Sequence, residues 1–150
     1  MTDLDRLMAV MEASFDPHYR EAWTRRQVQD SLALPSTYTI LVGEDGRPPA
    51  LPDPAAGFVL ARHAADEVEL LLIAVMPRHR GKGFGKSLLD MFFESARQRS
   101  AKHVFLEMRA NNPARALYES CGFEQIGQRK DYYRTATGET IDAITFAKPV

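Results

Sequence analysis

Apolar residues recur at helical spacing near the start of the chain. Leu4, Leu7, Met8 and Met11 share one side of residues 3–14. Thr2 or Asp3 can cap that helix, and Pro17 breaks the chain after it. A second helix is expected from Thr24 to about residue 34, where Pro35 stops it. The pattern then changes period. Residues 37–42 (TYTILV) are rich in β-branched and aromatic side chains and read as a strand. Residues 57–62 form a second strand and 67–75 (EVELLLIAV) a third. The near-continuous apolar run of the third suits a central strand covered on both faces. Gly85, Leu88, Leu89, Phe92, Phe93 and Ala96 restore the helical period up to about Arg99. A strand over 103–108 and a short helix over 113–120 follow, the helix ended by Gly122. Two strands, 123–133 and 141–148, are joined across 135–138. This order predicts an α/β (α+β) fold with a mixed, mostly antiparallel sheet flanked by helices.

Between the first two strands lies a loop over residues 43–56 that holds Pro48, Pro49, Pro52 and Pro54. It is too long for a tight hairpin and reads as exposed. No repeat or linker divides the 150 residues, so one domain over 1–150 is expected. With 19 basic and 20 acidic residues the chain is close to neutral, which argues against a general nucleic-acid binder. Residues 68–76, the longest apolar stretch, are interrupted by Glu69 and too short to span a bilayer. The acidic N-terminus lacks the features of a signal peptide, and the one cysteine, Cys121, excludes an intrachain disulfide. A cytoplasmic protein with no membrane partner is the expectation. His18, His63, His79 and His103 are scattered without carboxylate or thiol neighbours at ligand spacing, so no metal is expected.

The chemically informative segment is Ile73-Ala74-Val75-Met76-Pro77-Arg78-His79-Arg80-Gly81-Lys82-Gly83-Phe84-Gly85-Lys86-Ser87, which runs strand, turn, helix. A helix N-terminus offers unpaired N–H groups and partial positive charge, and glycines let the backbone close on an anion. Arg80, Lys82 and Lys86 add cations, so the turn suits phosphate. Three ligands compete for it. An ATP-type P-loop is one residue short, because Arg80 stands where its first glycine belongs. A dinucleotide fingerprint is out of place, since half of the chain precedes it. The pyrophosphate of coenzyme A fits Arg80-x-x-Gly83-x-Gly85 without adjustment. A basic turn that merely joins a strand to a helix is the plain alternative.

Three segments together, IAVMPRHRGKGFGKSLL, LEMRANNPARALYESCGF and RKDYYRTATGETIDAITFAKP, resemble the GNAT superfamily of N-acetyltransferases over about residues 55–149. The resemblance is closest to members that acetylate the N-terminal alanine of a small-subunit ribosomal protein. It implies acetyl-CoA as cosubstrate, central strands 67–75 and 103–108 splayed to admit it, a protein N-terminus as partner, and a monomer or weak dimer. It also implies that Ile73, Ala74 and Val75 hold the pantetheine arm and thioester, and that Gly81, Lys82, Gly83, Phe84, Gly85 and Lys86, with Arg80, hold the pyrophosphate. Asn111 matches the cofactor-contacting asparagine, Glu107 the general base, and Tyr118 the general acid and a further cofactor contact. Tyr132 and Tyr133 precede a hairpin that lines the acceptor groove in the family. Three departures stand out: the run Arg109-Ala110-Asn111 lacks the family's serine, the usual first strand is missing or very short, and residues 16–22 do not follow the usual first loop. A small amine or lysine acceptor, or a non-catalytic CoA or nucleotide module, are the competing readings.

The residues have plainer readings beside these. Glu107 could pair with Arg109 or another cation, and Tyr118 could pack against Leu117 and Phe123. Tyr132 and Tyr133 could form an aromatic pair. Trp23 and Phe15, either side of the first loop, read as core. No nucleophile suggests a covalent intermediate, so direct transfer is expected.

Overall fold

The computed structural model describes residues 2–50 and 52–150; Met1 of the N-terminal segment and Leu51 of the proline-rich loop lie outside the described residues. Helix α1 (Asp3–Ser14) starts at Thr2, whose hydroxyl accepts from the Asp5 N–H while the Asp5 carboxylate accepts from the Thr2 N–H. Each bond satisfies a donor that the first helical turn leaves unpaired. A short 3₁₀ turn, Pro17–Tyr19, follows, with Arg20 in the left-handed region at φ 56°. Helix α2 (Arg25–Leu32) repeats the device, Thr24 and Gln27 exchanging the same pair of bonds.

Six strands form one sheet in the order β1-β2-β3-β4-β6-β5: β1 (Thr37–Gly43), β2 (Ala55–Ala64), β3 (Glu67–Val75), β4 (His103–Arg109), β5 (Glu124–Arg134) and β6 (Thr140–Pro149). Only β3 and β4 run parallel. The mixed, mostly antiparallel sheet with helices on both sides is the architecture the sequence predicts. Helix α3 (Phe84–Gln98) lays Phe84, Leu88, Leu89, Phe92, Phe93 and Ala96 on one face of the sheet, against side chains that include Val59, Val68 and Leu106. Helix α1 lays Leu7, Met8, Val10 and Met11 on the other, with Phe58, Leu60 and Val28. Strand β2 is buried from Ala55 to Ala61 because both helices cover it.

Several boundaries differ from the pattern-based expectation. β2 extends beyond residues 57–62 in both directions, shortening the proline-rich loop. That loop is tied to α1, where the buried Arg6 guanidinium donates to the carbonyls of Pro49 (3.0 Å) and Asp53 (3.2 Å). Helix α4 (Arg115–Ser120) starts two residues late, since the Asn112 carboxamide oxygen accepts from the Ala114 N–H and holds the chain in a turn there. Its cap is Cys121, and Gly122 takes the left-handed conformation after it at φ 96°.

Strand β3 is central and meets α3 on one face and α1 on the other, as its apolar run predicts, yet Leu71, Leu72, Ile73 and Val75 are only half-buried. β3 and β4 pair over three positions alone, Glu67 with His103, Val68 with Val104 and Glu69 with Phe105. Beyond them β3 stays with β2 as far as Val75, and β4 stays with β6 as far as Arg109. The sheet therefore opens between residues 70–75 and 106–109, leaving the β4-facing edge of β3 without a strand partner.

Candidate active site

The opening of the sheet leads into a cleft of about 690 Å³. Its floor is Ile73, Ala74 and Val75 of β3, and one wall is the turn into α3. Backbone geometry explains the composition of that turn. Gly81 and Gly83 have φ of 76° and 86°, a region in which other residues are strained, and Gly83 caps α3. Arg80, Gly81, Gly83, Phe84, Gly85 and Lys86 all border the cleft; Lys82 does not, and its ammonium lies 3.4 Å from His79 Nδ1. The Arg80 guanidinium donates to the Ser14 carbonyl at 2.8 Å, and the Ser14 hydroxyl donates to the Val75 carbonyl at 3.2 Å. The end of α1, the end of β3 and the turn are thus linked through one residue.

The opposite wall comes from α4 and the loop before it. Asn111 and Asn112 both border the cleft, with Leu117 and Tyr118. Tyr118 combines a packing contact with a place in the lining. Its ring meets Phe123 edge-on at 5.8 Å within the core, yet it also lines the cleft. Only 5% of the residue is exposed. Burial, and then the charge of Glu21, push its phenol well above the ordinary value of 10. The group therefore stays protonated throughout the physiological range, as a proton donor must.

Glu107 and the paired tyrosines lie outside this lining. The Glu107 carboxylate points along β4 toward the outer strands, where Oε2 receives Arg129 Nε at 3.1 Å and the Thr145 hydroxyl at 3.4 Å. Its side chain is 20% exposed. The cation beside it is Arg129 rather than Arg109. Tyr132 is 52% exposed, and its ring meets that of Tyr133 edge-on at 5.1 Å. Tyr132 lies within an irregularity of β5 between Arg129 and Tyr133, where Asp131 has φ 52° and donates its N–H to Asp142, and Tyr133 resumes the pairing with β6. Burial first, and then the charges of Glu107 and Glu21, push the Tyr133 phenol up to about 12.

The sequence reading missed a cluster at the mouth of the cleft. Arg109 places its Nε 3.1 Å from Glu21 Oε1 and its guanidinium 3.6 Å from the centroid of the Tyr19 ring. Its Nη1 also donates to the carbonyl and the carboxamide oxygens of Asn111. Phe15, read as core, borders the cleft as well as touching the α1 core. His79, buried under the turn, lies 3.2 Å from Glu44 and edge-on to Phe84. Glu21 and Tyr19 sit in an irregular stretch with no period to reveal which way a side chain points. Among the described residues, no group of three or more histidine, cysteine or acidic side chains is placed to hold a metal ion. Nor does any described helix have the length and apolarity to cross a membrane.

Comparison with known proteins adds an independent line. The model of the acetyltransferase (GNAT) family matches residues 5–123. The ribosomal protein bS18-alanine N-acetyltransferase of Haemophilus influenzae is 36% identical over 91 residues, 61% of this chain and 62% of the relative. The match thus spans less than two thirds of that protein's length. A crystal structure of the Escherichia coli ribosomal-protein-alanine N-acetyltransferase superposes with a TM-score of 0.83 at 27% identity, covering 100% of this chain and 89% of that one. Arabidopsis thaliana NAA60, crystallised in complex with acetyl-CoA, shares the fold, with a TM-score of 0.77, 21% identity and coverage of 99% and 93%.

Proposed function

The chain belongs to the acetyltransferase (GNAT) family, and from that premise we propose that it moves an acetyl group from acetyl-CoA directly to the α-amino group of a protein N-terminus. The acceptor we infer is the N-terminal alanine of a small-subunit ribosomal protein, which places the reaction in the cytoplasm. Residues 1–150 act in this reading as one catalytic domain, supported by a sheet whose two faces carry both cores. The observation that carries the reading is the cleft itself: an unpaired strand edge at 70–75 leads from a glycine-bearing anion turn to a buried, protonated phenol.

The cleft suits acetyl-CoA. The free edge of β3 can accept an extended amide-bearing arm, as an added strand would. The turn carries Arg80 and Lys86 beside the first N–H groups of α3, a setting for a diphosphate. Once bound, the thioester supplies an activated acetyl group and a thiolate leaving group. A backbone N–H of Ile73, Ala74 or Val75 stabilises the charge that develops on the carbonyl oxygen. Tyr118 returns a proton to the departing thiolate, whose conjugate acid has a pKa near 8.5. Glu107 serves as base on the acceptor side, through water, with Arg129 orienting its carboxylate.

Chemistry favours an N-terminal acceptor for this machinery. An α-amino group has a pKa of about 7.7–8.0, so roughly a tenth or more is neutral at pH 7. A lysine amine near 10.4 costs roughly 3.4 kcal/mol more to deprotonate. A modest base therefore suffices for an N-terminus. The test is an acceptor panel analysed by mass spectrometry. Peptides beginning with alanine should gain one acetyl group at the α-amine in the presence of acetyl-CoA. Turnover of polyamines or aminoglycosides, with none of the peptides, would overturn the acceptor assignment. Tight ATP binding by calorimetry, with no acetyl transfer to any amine, would instead make the chain a non-catalytic binding module.

A further inference from the structure

We infer that Glu21 is the residue that receives the positively charged α-amino group of the acceptor, with Arg109 and Tyr19 as the device that positions it. This rests on the acetyl-transfer reading and names a residue of the same site.

Three observations converge. First, of the two carboxylates whose charge reaches the tyrosines of this region, Glu21 borders the cleft and Glu107 does not. Glu21 is also the one whose charge is felt by Tyr118, the proton donor on the far wall. Second, Glu21 is held without being consumed. Arg109 engages Oε1 at 3.1 Å, while among the described residues Oε2 has no hydrogen-bond donor. A carboxylate accepts several donors, so Oε2 can take the N–H of an arriving ammonium. Third, the holder is itself fixed. Arg109 is 11% exposed at its side chain, stacked on Tyr19 and bonded to Asn111, so Glu21 sits on a braced support although it comes from an irregular loop.

The arrangement divides labour between two carboxylates. Glu21 draws the charged amine to the mouth of the cleft, and Glu107 stands on the strand behind, paired with Arg129. Two acceptor features follow: a primary amine with a positive charge in solution, and little bulk on the side facing Phe15 and Tyr19, which border the same mouth.

The experiment uses the full chain saturated with CoA and measures binding of an alanine-starting peptide by calorimetry, alongside steady-state kinetics with acetyl-CoA. Glu21→Gln should weaken peptide binding and raise the peptide KM about tenfold or more, as expected for loss of a charge-assisted bond, while acetyl-CoA binding stays unchanged and reports an intact fold. Glu21→Asp should recover part of the loss. A des-amino version of the peptide, lacking the α-amine, should bind wild type and Glu21→Gln equally weakly, an equality that a merely structural role of Glu21 would not produce. If Glu21→Gln keeps the wild-type peptide KM, or weakens the des-amino peptide as much as the parent, the assignment is wrong while acetyl transfer stands. If the wild-type chain acetylates no amine at all, both readings fall together.

Discussion

Glu107 on β4 and Arg129 on the edge strand β5 meet across β6, with Nε 3.1 Å from Oε2. The pair ties the open half of the sheet to its outer hairpin. Its side chains are unequally exposed, Arg129 at 62% and Glu107 at 20%, so its worth lies less in stability than in fixing where the carboxylate sits. Glu107→Gln should lower kcat at pH 7, and raising the pH should partly restore it, because a larger neutral fraction of acceptor amine needs less help from a base. A pH–rate profile of the same shape as wild type would remove Glu107 from the base role.

Tyr118 has little freedom to be replaced silently, since its ring packs on Phe123 and the residue lines the cleft. Tyr118→Phe keeps the packing and deletes the donor. It should lower turnover at least tenfold, the usual scale for loss of a general acid, and leave acetyl-CoA affinity within a few-fold of wild type. Stopped-flow rates and calorimetry separate the two effects. Loss of affinity without loss of turnover would make Tyr118 a binding residue.

Alkaline stability tests the electrostatics of the same region. The phenols of Tyr118 and Tyr133 both titrate above their ordinary value of 10 in the folded chain, chiefly because burial opposes the charged form. Their contribution to stability is fully present below pH 10. Above it the unfolded chain releases these protons while the folded chain keeps them, so stability falls, and for Tyr133 the loss is complete once pH passes about 12. Denaturant melts between pH 9 and 11 should show this decline, and Tyr118→Phe should flatten it. An identical slope in the variant would show that Tyr118 titrates normally.

Gly83 tests the turn. Its φ of 86° is disfavoured for residues with a Cβ, although nothing lies within 4 Å of the added atom. Gly83→Ala should therefore cost stability through the backbone alone, about 1 kcal/mol, and weaken acetyl-CoA binding by shifting the first N–H groups of α3. Denaturant titration and calorimetry give the two numbers. Wild-type affinity in this variant would mean that the turn does not hold the diphosphate.

Local pattern carried much of this protein. The apolar spacing of α1 and α3 and the β-rich run of β1 need only neighbours in sequence to be read, because side-chain period and backbone geometry are local. The glycines at 81 and 83 were legible as positions where the backbone comes close to a ligand; that both take the left-handed conformation is a finding of the structure. Tyr118 was found through its motif, although its plain role in packing turned out to coexist with its place in the cleft.

What the chain alone determined is the order and type of its elements and the place of a basic, glycine-bearing turn between a strand and a helix. What only the tertiary structure decided is which charged groups meet. Arg109 could as well have paired with Glu107, two residues away; in a strand those neighbours are on the same face, yet Arg109 turns to Glu21, 88 residues earlier, and Glu107 turns to Arg129. Ion pairing is set by distance in space, which no periodicity encodes; the parting of β3 from β4, implied by the resemblance but by no local pattern, is what opens the cleft.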